Sequence, residues 1–310
     1  MRIIALEDLG VIPLPDAIEK SIGNSAEADA VKESGGLLNN PKAAAYVNGI
    51  GQKLAAASGR SKYGYKFGVV NSKVPNAFAL PNGSIYTTVG LLRLLRTEAQ
   101  LANVLGHEVS HVTERHTVDQ MEKNLGTTGF LSLVNNLFLK KALGKEQAKQ
   151  IKELSFSLIS NGFSRSDENE ADDVGQKLAA KAGWSPMGMV DVMSIFNELE
   201  KGATTKEEKN VLEPYLRSHP YAKDRVKEAG ARLATLPQGE VGEDRYAAFL
   251  STLGVSEQEA GMSPGEAFRA TRGLTSDFTI QAAPLGQLLP GIILLGGGAV
   301  LLLVVLLKKD

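Results

Sequence analysis

Leu105-Gly106-His107-Glu108-Val109-Ser110-His111 is the stretch that organises the chain, because it contains the pattern His-Glu-x-x-His. If the stretch is helical, His107 and His111 lie one turn apart on the same face, since residues i and i+4 are neighbours on a helix. Two imidazoles in this arrangement can occupy two corners of a tetrahedral zinc site, and Glu108 beside them can take a proton from water. The stretch therefore predicts a metal site with a general base, and the rest of the chain must supply a third ligand.

The composition restricts both the class of protein and the kind of metal ligand. The chain has 310 residues, 43% hydrophobic and 22% charged, which are ordinary proportions for a globular protein. Its net charge of -1 gives no basic surplus, so nucleic acid is not expected as a partner. Cysteine is absent, which excludes disulfides, thiolate catalysis and cysteine zinc sites. The metal ligands must therefore be histidines or carboxylates, and the chain has only four histidines.

The two ends of the sequence bear on whether the chain is exported and whether it is anchored in a membrane. The apolar run from Met1 to Leu6 is too short for the core of a signal peptide. We therefore expect either a chain that is not secreted in this form or one that begins after a removed segment. Residues 288–307 are 20 consecutive uncharged residues, and a helix of that length spans about 30 Å, the thickness of a bilayer core. They predict a transmembrane anchor, with a buried hairpin or core helix as the alternative.

The spacing of apolar residues predicts helices first and then strands. Residues 16–58 have helical spacing, whereas residues 65–70 alternate as a strand does. Two further strands, 77–80 and 84–88, flank Pro81-Asn82-Gly83, a combination typical of a short hairpin. We therefore expect a small antiparallel sheet immediately before the motif.

The motif itself is expected inside a long helix. Thr97 fits the N-cap of a helix that continues to about Lys123. Residues 126–163 change in composition and predict two inserted amphipathic helices, whose apolar face could belong to the core, to a lid or to a membrane-touching surface. The predicted fold class is thus α+β and mainly helical.

Composition also suggests the domain boundaries. We expect a folded domain over residues 1–236, with a charged loop at 201–209 ahead of its last helix. Residues 237–287 are polar and rich in glycine, which is typical of a spacer, and they lead to the anchor at 288–307.

A cluster of carboxylates at the start of a later helix can supply the third ligand. In Ser164-Arg165-Ser166-Asp167-Glu168-Asn169-Glu170-Ala171-Asp172, Glu168 and Asp172 are four residues apart and share a face. Glu168 could bind the metal while Asp172 accepts a hydrogen bond from a ligand histidine. His219 is another possible ligand, and the acids alone could be explained by their preference for helix amino termini. His116 lies about 140° from His111 around a continuous helix, so it is a poor ligand and is expected to pack or cap.

Four segments together resemble the zinc metalloendopeptidase family that includes HtpX, the CAAX prenyl endopeptidases and the BepA-like periplasmic proteases. They follow the family's order within about residues 30–236. The segments are Asn76-Ala77-Phe78-Ala79-Leu80-Pro81-Asn82-Gly83, Gly106-His107-Glu108-Val109-Ser110-His111, Ser164-Arg165-x-x-Glu168-x-Glu170-Ala171-Asp172, and His219-Pro220 with Arg225.

The resemblance implies a zincin-like metallopeptidase domain that binds one zinc ion per chain. His107, His111 and Glu168 match the family's zinc ligands, and Glu108 matches its general base and acid. Glu170 is an alternative ligand, but the family pattern points to the first glutamate of Glu-x-Glu-Ala-Asp.

Three other residues match positions around the family's metal. Asp172 corresponds to an aspartate that orients a ligand histidine. His219 corresponds to a histidine that approaches the metal and gates it or stabilises the oxyanion, and Arg225 to an arginine beside the site. Without the resemblance, His219 and Arg225 would be interpreted as a helix cap and a surface charge.

The strand before the motif resembles the family's substrate-binding edge. Asn76, Ala77, Phe78 and Ala79 would bind an extended peptide through backbone hydrogen bonds, which depend little on side-chain sequence. Unfolded or membrane-associated polypeptides are therefore the expected substrates. The alternative for Asn76 is an ordinary turn residue after Pro75.

Two hypotheses about function follow. The first is a membrane-associated zinc endopeptidase. The second is a metal-gated, chaperone-like module that holds peptides and cleaves them weakly, which His219 on the metal's open position would favour. Lys308 and Lys309 favour a cytoplasmic tail and a periplasmic or other extracytoplasmic domain, with the cytoplasmic face as the alternative.

Overall fold

The computed structural model of the protein describes residues 15–123, 126, 129–130, 162–220 and 222–270. This part of the chain is mainly helical with one small sheet, as the sequence predicts. The elements are α1 (Asp16–Glu33), α2 (Pro41–Ala57), β1 (Lys66–Val70), β2 (Ala77–Ala79), β3 (Ser84–Thr88), α3 (Val89–Leu94), α4 (Glu98–Thr113), α5 (Arg165–Lys181), α6 (Met187–Gly202), α7 (Lys206–Ser218), α8 (Ala222–Arg232), α9 (Glu243–Thr252), α10 (Glu257–Ala260) and α11 (Pro264–Ala270).

The sheet has the strand order β1-β3-β2 and is mixed. The predicted hairpin is confirmed, since β2 pairs antiparallel with β3 across a turn in which Gly83 has a φ of +82°. The prediction of a wholly antiparallel sheet is wrong, because β1 pairs parallel with β3. The hairpin places β3 between β1 and β2. The chain reverses before β2 and again before β3, so β1 and β3 run in the same direction. Strand β2 is thereby left at one edge of the sheet.

Helix α4 lies at the centre of the domain. All of its residues from 98 to 112 are buried, and Leu101, Leu105 and Val109 belong to the main hydrophobic core. A helix buried on every side must bury its polar residues too, and such residues require partners within the protein. The histidines of the motif therefore face neighbouring elements rather than solvent.

Two glycines allow α4 and α5 to cross at close range. A Cβ atom on Gly106 would lie 2.7 Å from the carbonyl oxygen of Gly175, and one on Gly175 would lie 2.6 Å from the backbone nitrogen of His107. Real Cβ atoms do not approach other atoms so closely, so both positions require glycine. The crossing holds the first turn of α5 beside the motif of α4.

Helix α4 ends at Thr113, ten residues before the predicted end at Lys123. Arg115 follows in the left-handed region with a φ of 62°, and a new helical stretch covers 116–123. Among the described residues it is the only non-glycine with a positive φ, a conformation that costs about 1–3 kcal/mol. The break turns the chain back toward the motif helix.

Two segments expected outside regular structure belong to the folded domain. Residues 206–218 form helix α7, which starts at a capping box of Thr205 and Glu208 and contains Pro214. Its Leu212 and Tyr215 are buried in the main core. The predicted spacer is helical in part, and Tyr246 and Phe249 of α9 are buried in the main core. The folded domain therefore extends beyond residue 236, at least to residue 270.

Arg245 attaches α9 to the start of the motif helix. Its guanidinium lies 2.6 Å from Oε2 of Glu98, whose other oxygen accepts a hydrogen bond of 2.8 Å from Tyr46. Burial alone would raise the pKa of Glu98, but hydrogen bonds from Arg245, Tyr46 and Trp184 outweigh it and hold the pKa below its ordinary value. The charged form of Glu98 thus stabilises the junction between the two helices.

Two predicted features fall outside the described residues. They are the anchor at 288–307 and most of the inserted helices at 126–163. Among the helices of the described part of the chain, none combines the length and the apolar character that crossing a membrane requires.

Candidate metal centre

Four buried side chains meet where α4, α5 and the end of α7 come together. Their ligating atoms, on His107, His111, Glu168 and His219, all lie within 4.8 Å of one another. Nε2 of His107 is 3.0 Å from Nε2 of His111 and 3.2 Å from Nδ1 of His219. Oε1 of Glu168 is 3.4 Å from Nε2 of His111. The cluster unites the three predicted ligands with the residue expected to approach the metal.

Local sequence explains why these elements present these side chains. The two histidines of α4 share a face because they are four residues apart. Ser164 and Asp167 form a capping box that starts α5, which places Glu168 in its first turn. Helix α7 ends at Ser218, and His219 is its C-cap, as expected for a residue before proline.

The donor set fits a divalent metal ion such as zinc. Oε1 of Glu168 is buried and accepts no hydrogen bond from the described residues, so a positive ion would supply its missing partner. Burial lowers the pKa of His111 well below its ordinary value, which keeps this imidazole neutral and able to bind a metal. Burial would raise the pKa of Glu168, but Arg225, His219 and His107 outweigh it and hold the pKa well below its ordinary value. Both groups are thus in their ligating forms.

Asp172 and Arg225 support the cluster from behind. Oδ1 of Asp172 lies 2.9 Å from Nδ1 of His107, and both carboxylate oxygens accept hydrogen bonds of 2.6 Å from Arg225. Burial would raise the pKa of Asp172, but Arg225 outweighs it and lowers the pKa. An ionised Asp172 accepts a hydrogen bond from Nδ1–H of His107, which leaves Nε2 of this histidine free to bind a metal. Arg225 also reaches Oε2 of Glu168 at 2.5 Å.

Glu108 points toward the edge strand and His219. Its Oε1 lies 3.5 Å from Nε2 of His219, and the same nitrogen lies 3.4 Å from the carbonyl oxygen of Ala77 on β2. Burial raises the pKa of Glu108 despite the opposing charges of His219 and His107. Burial alone would lower the pKa of His219, but the carboxylates of Glu168 and Glu108 outweigh it and raise the pKa. A small cavity at this position is lined by residues 77–81, Glu108, Phe163 and His219.

Sequence reasoning missed two groups beside His111. The ring of Phe163 stacks on the imidazole of His111, with centroids 3.9 Å apart. Nδ1 of His116 lies 2.9 Å from Nδ1 of His111, although a continuous helix would have placed His116 on another face. Glu170, considered as an alternative ligand, is 55% exposed and lies outside the cluster. No glycine or proline at 114–115 indicates the break that brings His116 back.

The fold and the site define a class of protein. A central helix with His-Glu-x-x-His, a carboxylate from a crossing helix and an adjacent edge strand are the parts of a metallopeptidase domain. The chain belongs to peptidase family M48, whose model matches residues 41–233. The resemblance drawn from the four segments is therefore confirmed.

The names of similar proteins are consistent with membership of this family. The chain is 27% identical over 234 residues to the beta-barrel assembly-enhancing protease of Escherichia coli (strain K12), covering 73% of the chain and 46% of the relative. It is 35% identical over 159 residues to the mitochondrial metalloendopeptidase OMA1 of Arabidopsis thaliana, covering 51% of the chain and 30% of the relative. It is 32% identical over 134 residues to the metalloprotease LoiP of Escherichia coli (strain K12), covering 43% of the chain and 52% of the relative. The chain thus spans about half the length, or less, of these relatives.

Proposed function

We propose that the chain is a zinc-dependent endopeptidase that hydrolyses peptide bonds in unfolded or membrane-associated polypeptides. The observation that carries the proposal is the buried meeting of His107, His111 and Glu168, with Glu108 facing the adjacent edge strand. Three ligands from the protein leave one position of a tetrahedral zinc open, which is the arrangement of catalytic rather than structural sites.

The residues of the site have different roles in the proposed reaction. His107, His111 and Glu168 would hold one zinc ion, which when bound polarises a carbonyl and lowers the pKa of water. Glu108 takes the proton of the attacking water and passes it to the leaving amine. Arg225 and Asp172 keep Glu168 and His107 in their ligating forms.

The edge strand β2 offers backbone groups to an extended substrate. Leu80 donates to the carbonyl of Ser84, and Thr88 donates to the carbonyl of Asn76, so the even-numbered residues that flank β2 bond to the β3 side. Because these directions alternate in an antiparallel pair, the backbone groups of Ala77 and Ala79 point to the opposite edge. A peptide added there would run past Glu108 and the metal ligands.

We expect Ala79→Pro to raise KM for a peptide substrate about 2- to 10-fold, the value of one hydrogen bond. The substitution removes the N–H that points away from β3 and leaves the ladder between the two strands intact. The matched control is Ala79→Ser, which retains the N–H. Steady-state kinetics and thermal unfolding of both variants check this prediction, and an equal KM for all three proteins would contradict substrate addition at this edge.

Chelation tests the proposed function as a whole. We expect the purified chain to hydrolyse casein, to lose this activity when a chelator removes the metal, and to regain it on addition of about one zinc ion per chain. The activity is followed by release of soluble peptides. Casein hydrolysis that continues in metal-free protein would overturn the proposal.

A second candidate is favoured by the position of His219. Its Nδ1 lies 3.2 Å from Nε2 of His107 and 3.4 Å from Oε2 of Glu168, so His219 could serve as a fourth ligand of a bound metal. An occupied fourth position would favour a gated, chaperone-like module that binds peptides and cleaves them weakly. Peptide binding without turnover in zinc-loaded protein would support this candidate over the first.

The proposal also includes attachment to a membrane, the side of the membrane on which the catalytic domain lies, and the state of the substrates. Residues 288–307 would anchor the chain in a membrane, and Lys308 and Lys309 favour an extracytoplasmic catalytic domain over a cytoplasmic one. The name of the Escherichia coli relative refers to beta-barrel assembly, which accords with substrates that have not yet folded. Accessibility to added protease in intact cells and in spheroplasts separates the two placements.

A further inference from the structure

The two histidines of the motif have different partners on their Nδ1 atoms. His107 faces a carboxylate, Asp172, whereas His111 faces a second histidine, His116. We propose that His116 and Glu170 form a hydrogen-bond relay that fixes the tautomer and orientation of His111 as a metal ligand. The proposal rests on the proposed function, because it assumes that the cluster binds a metal.

The first link of the relay follows from which nitrogen faces the cluster. Nε2 of His111 lies 3.0 Å from Nε2 of His107 and 3.4 Å from Oε1 of Glu168, so this nitrogen is the one available to a metal. A neutral imidazole that ligates through Nε2 carries its proton on Nδ1. This proton points at Nδ1 of His116, 2.9 Å away, and must be donated to it.

The second link follows from the first. Because Nδ1 of His116 accepts a hydrogen bond, a neutral His116 carries its own proton on Nε2. That nitrogen lies 3.2 Å from Oε2 of Glu170, which accepts. His116 is buried at 3% exposure while Glu170 is 55% exposed, so the relay ends on a solvated carboxylate. An anionic acceptor at the end of such a chain polarises and strengthens both hydrogen bonds.

The backbone and a neighbouring ring hold the relay in place. The left-handed conformation of Arg115 interrupts the helix and returns His116 to the motif, so that its ring lies 5.0 Å from that of His111 at 72°. Phe163 covers a face of the His111 ring, with an interplanar angle of 19°. A buried histidine needs an acceptor for its N–H in any role, but one that only fills space would not need its Nδ1 directed at Nδ1 of His111.

Zinc affinity measured by competition with a chromophoric chelator tests the relay. We expect His116→Leu to weaken zinc binding about 10- to 100-fold, as loss of an orienting partner does. His116→Asn places an amide oxygen where Nδ1 was and should recover most of this loss. Glu170→Gln should weaken binding less than His116→Leu, and should have no further effect in the His116→Leu background. Asp173→Asn, on the same helix but bonded to Lys177, is the control and should leave the affinity unchanged.

The outcomes distinguish the proposed relay from a purely structural role of His116, and they distinguish failure of the relay from failure of the proposed function. Thermal unfolding of the metal-free variants reports on folding, and Glu170→Gln still tests the relay if His116→Leu does not fold. Wild-type affinity in either His116→Leu or Glu170→Gln would overturn the relay, as would equal effects of Glu170→Gln in both backgrounds. Absence of zinc binding by the wild type would instead overturn the proposed function, and with it the relay.

Discussion

Glu108→Gln is expected to lower kcat for casein hydrolysis by about 100- to 10,000-fold, the usual contribution of general acid–base catalysis. The amide has nearly the shape of the carboxylate but cannot accept the proton of the attacking water. Glu108 lies outside the set of ligating atoms, since its carboxylate turns toward His219 and the edge strand. Zinc content and peptide binding should therefore remain at the wild-type level.

Glu114→Gln is the matched control for this substitution. It makes the same chemical change at the end of α4, where Glu114 accepts a hydrogen bond from Thr113 rather than facing the cluster. Its kcat and zinc content should match those of the wild type. Equal hydrolysis by wild type and Glu108→Gln would remove Glu108 from the mechanism and favour the gated, chaperone-like candidate.

Local sequence patterns were sufficient to predict those parts of the fold and of the site that are determined by residues close to one another in the chain. The spacing of His107 and His111 fixes their common face on any helix, and Ser164 with Asp167 fixes the start of α5. The hairpin at Pro81-Asn82-Gly83 was predictable for the same reason, since its glycine supplies the positive φ of the turn.

Features that depend on tertiary packing were not predictable in this way. The parallel pairing of β1 with β3 depends on which strand of the hairpin occupies the centre of the sheet, and periodicity does not encode that order. The end of α4 at Thr113 carries no glycine or proline signal, so the position of His116 could not be derived. The polar composition of 237–287 concealed Tyr246, whose burial depends on a partner surface far away in the chain.

Identifying the third ligand requires both the local sequence pattern and the tertiary packing. In the sequence, acids at a helix start are explained equally well by the helix dipole, which leaves Glu168 and Glu170 as competing ligands. The close crossing of α4 and α5 at Gly106 and Gly175 decides which face of α5 meets the motif. Glu168 lies on that face, whereas Glu170 points to His116.

Glu168→Ala is therefore expected to abolish stoichiometric zinc binding, whereas Glu170→Ala should still bind one zinc ion per chain when zinc is saturating. Removing Glu168 takes away the one carboxylate of the cluster, whose Oε1 is buried and has no hydrogen-bond partner among the described residues, and leaves only imidazoles to hold a metal. Arg225 retains its two hydrogen bonds to Asp172, so the fold should survive the change.

Metal analysis of protein dialysed to equilibrium against saturating zinc, with circular dichroism to verify folding, measures this difference. The reverse pattern, with zinc lost from Glu170→Ala and retained by Glu168→Ala, would transfer the third ligand to Glu170 and contradict the geometry of the crossing. A folded Glu168→Ala protein without zinc should also be inactive toward casein while Glu108→Gln is inactive with zinc bound. Together the two variants would thus separate loss of the metal from loss of the proton acceptor, which a single inactive variant cannot do.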